Sequence, residues 1–234
     1  MESDLRQPAI DLTMTLRELL CHDHAWYHSG KRREPIYVEM GLPKIVQCVL
    51  ANSSLRFIFL VRLMRRLWVG GFKKIAAIFR KVIFQLYGAE ISYRAVIGPG
   101  IQFPHPQGII IGGDTRIGKY VHIGQFCTIG GNVGKSDQFG REYPIIHDFV
   151  RIMVGSIVAG PVAIGLRSIV GPNSVIVKDV GPDTVMSVMP SAPIKVNGEK
   201  VVPLQKNSYF GSRVTMLEKE LLKRQQPIQD GGSG

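Results

Sequence analysis

Between Ile91 and Ile176 an aliphatic residue returns at every sixth position. Ile91 and Ile97 open the series, which resumes after a two-residue slip at Ile111, Ile117, Ile123 and Ile129. After a longer interruption it continues at Ile146, Ile152, Val158, Ile164, Val170 and Ile176. Glycine recurs one residue further on, at Gly98, Gly112, Gly118, Gly124, Gly130, Gly165 and Gly171. Four residues after the aliphatic stand mostly small or β-branched side chains, among them Ala95, Thr115, Cys127, Ser156, Ser168 and Ser174. Such a period fits neither an amphipathic helix nor an alternating strand. It predicts a hexapeptide β-helix, in which each hexad gives a short strand and a corner. Stacked coils then pair each strand with its neighbours at about 4.8 Å, and the aliphatic and small side chains fill the interior.

The rest of the chain has a different rhythm. Apolar residues recur at helical spacing around residues 15–20, over 44–69 and over 72–87, with WVGG (68–71) as a break. The segment VTMLEKELLKRQQ, with Val214, Leu217, Leu221 and Leu222, predicts a short helix that caps the solenoid. The fold expected is therefore mainly β: a helical N-terminal segment over residues 1–88, a parallel β-helix over 89–196, and an extension with a short helix over 197–230. The final GGSG (231–234) reads as a linker remnant.

Lys and Arg exceed Asp and Glu by 11, which favours anionic partners. Much of this charge lies among large apolar residues in FIFLVRLMRRLWVGGFKKIAAIFRKVIFQLYG, where Arg62, Arg65, Arg66, Lys73, Lys74, Arg80 and Lys81 occur. No uncharged run there reaches the roughly 18 residues of a membrane span. Two readings remain: helices lying on an anionic membrane, or helices packing an apolar face on the rest of the protein. The charge clusters with aliphatics instead of with a reading motif, so nucleic acid is not an expected partner. Three cysteines without CxxC spacing argue against a disulfide framework or a structural zinc site and fit a cytoplasmic setting, as does an N-terminus without a signal-peptide pattern.

One ionisable side chain, His105, stands in the uncharged stretch between Arg94 and Asp114, within FPHPQGIIIGG. Around it, IGPGIQFPHPQGIIIGGDTRIGKYVHIGQFCTIGG resembles the hexapeptide-repeat acyltransferases, and within them the serine acetyltransferase group. The likeness includes the slip at Ile109 and Ile110, the pair Gly130 and Gly131, a GKS loop (134–136) and the coils ending VGPNSVIVKDVGPDTVMSVMPSAPIK. It covers roughly residues 88–196. It implies a left-handed coil, a homotrimer, and acetyl-CoA as donor in a groove between subunits, with no metal.

The resemblance makes His105 the general base and Glu90, fifteen residues upstream, the carboxylate that orients it. An alcohol attacks a thioester well when its proton is removed during attack, and a positioned imidazole contributes roughly 100- to 10,000-fold. A carboxylate on the other ring nitrogen fixes the tautomer. For the donor, the matching surface includes Gly130, Gly131, Ser156, Ser174 and Lys178, with backbone N–H groups near Gly130 and Gly131 as oxyanion candidates.

The family's acceptor-binding Arg-His pair is replaced in REYPII by Glu142 and Tyr143, a change that disfavours a free carboxylate-bearing acceptor. The expectation is therefore an O-acetyltransferase acting on a sugar of an exopolysaccharide, capsule or lipopolysaccharide, or its precursor, the alternatives being acetylation of serine or another small alcohol, and a non-catalytic β-helix assembly or membrane-surface protein. Tyr143 either stacks on a sugar or packs the loop. Cys127 reads as an interior packing residue, His122 and His147 as surface histidines, and His22, His24 and His28 as too few ligands for a metal centre.

Overall fold

The computed structural model describes residues 13–29 and 35–188, together with the strand residues 195–196 and 199–200. One compact unit runs to Val188 and a second begins at Met189. In the second, β14 (Lys195–Val196) and β15 (Glu199–Lys200) form an antiparallel pair. The capping helix expected around Val214 to Leu222 lies outside the described residues.

Four helices precede the solenoid: α1 (Leu16–His28), α2 (Leu42–Ala51), α3 (Ser53–Val69) and α4 (Lys73–Tyr87). A capping box starts α1, with Thr15 Oγ accepting from the Glu18 amide at 3.2 Å and the Glu18 carboxylate accepting from the Thr15 amide at 2.6 Å. The apolar run over 44–69 is two helices, not one, bent by 117° at Asn52. The Asn52 carboxamide oxygen accepts from the amides of Ser54 (2.9 Å) and Leu55 (3.1 Å), so it closes α2 and caps α3. Among the described residues no single helix is long and apolar enough to cross a membrane; α2 and α3 reach that length only as a bent pair.

From Glu90 the chain winds as a three-walled parallel β-helix. The first wall stacks β1 (Glu90–Ile91), β3 (Ile110–Ile111), β6 (Thr128–Gly130), β9 (Ile157–Ala159) and β12 (Val175–Ile176). The second stacks β2 (Val96–Ile97), β4 (Arg116–Ile117), β7 (Ile145–Ile146) and β10 (Ala163–Ile164). The third stacks β5 (His122–Ile123), β8 (Arg151–Ile152), β11 (Ile169–Val170) and β13 (Val185–Met186). Every aliphatic of the six-residue series points inward and is buried, the most accessible being Ile97 at 8%.

The series also includes a residue that an aliphatic pattern passes over. Phe103 occupies the third-wall position of the first coil, fully buried, with Phe57 of α3 set edge-on against it at 5.1 Å. Helices and coils thus share one core. A buried ion pair joins them as well: the carboxylate of Asp23 on α1 accepts from Arg62 Nη2 (2.9 Å) and Nε (3.1 Å) and from the Ile101 amide (2.9 Å). Arg62 in turn donates to the carbonyls of Ile97 (2.5 Å) and Gly98 (2.6 Å). Burial pushes the Asp23 carboxyl up, against the pull of Arg62. Arg62 is therefore not one of the surface cations the sequence suggested, and Arg65 is likewise engaged, donating to the Tyr93 carbonyl at 2.9 Å.

Candidate active site

Register locates the slip. Gln102 bridges to His122 and Ile110 pairs with Thr128, so eight residues separate the pairs in the first coil against six in the second. Gln107 and Gly108 lie beside Phe126, and Ile109 is buried like Cys127 one coil on. The two extra residues are therefore His105 and Pro106, and not Ile109 and Ile110, which keep the regular stacking. The insertion enlarges the corner: Pro106 is buried against the protein and His105 is exposed.

The inserted corner is held from below. Ser54 at the start of α3, itself buried, donates its hydroxyl to the Pro104 carbonyl at 2.9 Å. The Gly108 amide donates to the Tyr87 carbonyl at the end of α4 (3.1 Å), and the Gln107 amide to the His105 carbonyl (2.8 Å). On the next coil the Phe126 amide donates to the Gln107 carbonyl at 2.9 Å. Gly108 has φ +62, and a Cβ there would meet the Phe126 ring at 2.4 Å, so only glycine lets this aromatic lie over the corner.

Beside the corner stands His122. Its Nδ1 lies 2.8 Å from Gln102 Oε1, a carbonyl oxygen that only accepts, so Nδ1 carries the proton and Nε2 keeps its lone pair. Burial, then the nearby charges of Arg151 and His105, lower its pKa to about 4. At neutral pH this imidazole is uncharged. It is pinned and half-buried, unlike the free surface histidine expected. His147 is buried as well, at 9% exposure.

Glu90 opens the first wall below the same corner, but its carboxylate meets Arg80 of α4 at 3.5 Å, and the expected bond to His105 is not formed. Ser156 and Ser174, expected in the donor groove, face the interior: Ser156 donates to the Gly171 carbonyl at 2.8 Å and both are buried. Their position four residues after the aliphatic is an inward one, which rules out side-chain contact with a ligand. Gly130 has open space where a side chain would be. Lys178 borders a surface depression of about 550 Å³ together with Lys135 and Ser136 of the GKS loop.

Glu142 and Tyr143 stand at a different edge, between the first and second walls, at the end of the loop 131–144. The Tyr143 ring lies over Gly113 and Gly131, where added Cβ atoms would meet it at 2.0 and 3.2 Å. It packs the loop and offers no free face above His105, and Glu142 is exposed beside it. Cys127 is interior, as expected; its Sγ donates to the Met153 carbonyl at 3.0 Å and burial pushes its thiol pKa up. His22 Nδ1 lies 2.9 Å from the Tyr120 hydroxyl. No group of three or more metal-binding side chains occurs among the described residues.

A parallel β-helix with an outward histidine at an enlarged corner defines a hexapeptide-repeat acyltransferase. No family model matches the chain. Serine acetyltransferase from Mycobacterium tuberculosis is 31% identical over 164 residues, 69% of this chain and 67% of the relative. The serine acetyltransferase of Neisseria gonorrhoeae, solved in complex with serine, superposes with a TM-score of 0.62 at 22% identity, covering 77% of this chain and 69% of that one. A serine acetyltransferase solved in complex with CoA gives 0.57 at 25%, covering 71% and 64%. The chain belongs to the serine acetyltransferase family of hexapeptide-repeat acyltransferases, shares its left-handed coil, and is an acetyl-CoA-dependent acyltransferase.

These relatives overturn the expectation of a glycan acceptor, since they are serine enzymes. The physical reason the sequence misled is the placement of Glu142 and Tyr143. Neither borders His105 in the same chain, and Tyr143 is committed to the glycines under it.

Proposed function

We propose that the protein moves the acetyl group of acetyl-CoA to the hydroxyl of serine, or of a small alcohol resembling it, with His105 as general base. The observation that carries this reading is the exposed His105 at an enlarged corner braced by α3, α4 and the next coil. As the hydroxyl oxygen bonds to the thioester carbonyl carbon, its proton passes to the imidazole. The tetrahedral oxyanion then collapses, the carbon–sulfur bond breaks, and the imidazolium returns the proton to the departing CoA sulfur. No acyl-enzyme is needed, in keeping with the interior position of Cys127.

Glu90 serves in this reading as the orienting carboxylate. Its contact with Arg80 is long and exposed, so little holds it away from the corner above. Lys135 and Lys178 supply positive charge for the donor's phosphates. A homotrimer is supported by the outer face of the first wall, where Ile110, Thr128, Ile157 and Val175 stack in a column whose three aliphatic members are exposed. The three free cysteines and the donor fit a cytoplasmic setting.

Release of CoA thiol from acetyl-CoA, with and without serine, tests the reading. His105→Ala should lower kcat by roughly 100- to 10,000-fold with little change in the KM for acetyl-CoA; wild-type turnover in that variant would exclude the mechanism. Glu90→Gln should lower kcat and leave donor affinity intact, whereas a large loss of donor binding would make Glu90 structural. Absence of serine-dependent thiol release, with release from other small alcohols, would move the acceptor away from serine.

A further inference from the structure

Helix α4 has two apolar faces and only one is used. Ala76, Ile83 and Tyr87 turn into the core. Ile75, Ile78, Val82 and Leu86, spaced by three, four and four residues, form a second stripe that is exposed by 44, 59, 37 and 61%. The stripe continues into the α3–α4 turn, where Val69 and Phe72 are exposed by 69 and 59%. Lys74 and Lys81 lie along one border of the stripe with no partner among the described residues, and Lys73 sits 5.3 Å above the Trp68 ring at the turn. No Asp or Glu occurs between Glu39 and Glu90, a span with nine Lys and Arg.

We propose that this face of α4 lies on an anionic lipid bilayer, its aliphatic stripe in the headgroup–acyl boundary and its lysines against the lipid phosphates. The charge decides between occupants. A second copy of the same face would bring Lys74 and Lys81 towards their own counterparts with no carboxylate on the helix to offset them, whereas an anionic surface complements both the stripe and its border. The helix is too short and too charged to span, so it lies in the plane of the interface. Ile75, Val82 and Leu86 each precede a core residue and so lie about 100° round α4 from Ala76, Ile83 and Tyr87, which pack on the protein, so binding leaves those contacts in place.

Flotation of the full chain with vesicles of phosphatidylcholine, with and without phosphatidylserine, tests this. The chain should float with the anionic vesicles, remain behind with the neutral ones, and be released as salt is raised. Each lysine contributes a factor of about five, so Lys74→Gln with Lys81→Gln should weaken partitioning roughly 25-fold. Ile78→Ser with Val82→Ser should abolish it with no change in thermal midpoint or oligomer mass. The proposal is overturned by absence of flotation with anionic vesicles, by equal flotation with neutral ones, or by a fall in oligomer mass in the serine variant. That last result would make the stripe a contact between copies.

Discussion

Replacing Asp23 by alanine should destabilise the protein far more than any surface change, because the carboxylate is fully buried and serves three N–H donors. Its removal leaves the Arg62 guanidinium in the core with only the Ile97 and Gly98 carbonyls as partners. Breaking a buried ion pair from one side costs about 3–5 kcal/mol, and the Ile101 amide loses its acceptor in addition. Against a total stability of about 5–15 kcal/mol for a domain, the loss is a large fraction. Replacing both partners, as Asp23→Leu with Arg62→Met, removes the stranded charge and should cost less than Asp23→Ala alone. Urea melts of the two single variants, the double variant and the parent give the coupling energy. A loss below about 1 kcal/mol in Asp23→Ala, or a double variant as unstable as the sum of the singles, would refute the claim that this pair locks α1 and α3 onto the first coil.

The neutral, buried state of His122 sets an acid limit on stability. The unfolded chain binds a proton there below the ordinary 6.5 while the folded chain does so only near 4, so stability is present above 6.5 and is lost as pH falls through that window, by about 3 kcal/mol in all. Urea melts between these pH values should show the slope in the parent and a much shallower one in His122→Gln; equal slopes would place the effect elsewhere. Gly108→Ala should cost about 1–2 kcal/mol from its left-handed φ and should displace Phe126, lowering kcat/KM. Unchanged melting and turnover in that variant would mean the corner tolerates a side chain.

The solenoid was legible because its interior selects one residue type at a fixed interval. Where the interior admitted another type, legibility failed: Phe103 holds a wall position but breaks the aliphatic pattern, and with it unseen the slip was read at Ile109 and Ile110 instead of at His105 and Pro106. The break at Asn52 had a signal in the sequence, an Asn before two serines, but apolar spacing continued across it. The positions of His105 and Glu90 near one corner followed from spacing. The pairing of Glu90 with Arg80 did not, since it depends on how α4 packs against the first wall. The inward direction of Ser156 and Ser174 was implicit in their place within the hexad, and the family likeness drew attention to a groove they do not face. Asp23 with Arg62 joins residues 39 apart and has no local signature.

The dipeptide His105–Pro106 gives this enzyme a property that lies in its length. Between Ile111 and Ile129 a full coil takes eighteen residues, whereas from Ile91 to Ile111 it takes twenty. Deleting two residues would restore an unbroken lattice and erase the imidazole in the same event. At this corner, as at the loop 131–144, the count of the stack changes, and here the register error is itself the address of the proposed base.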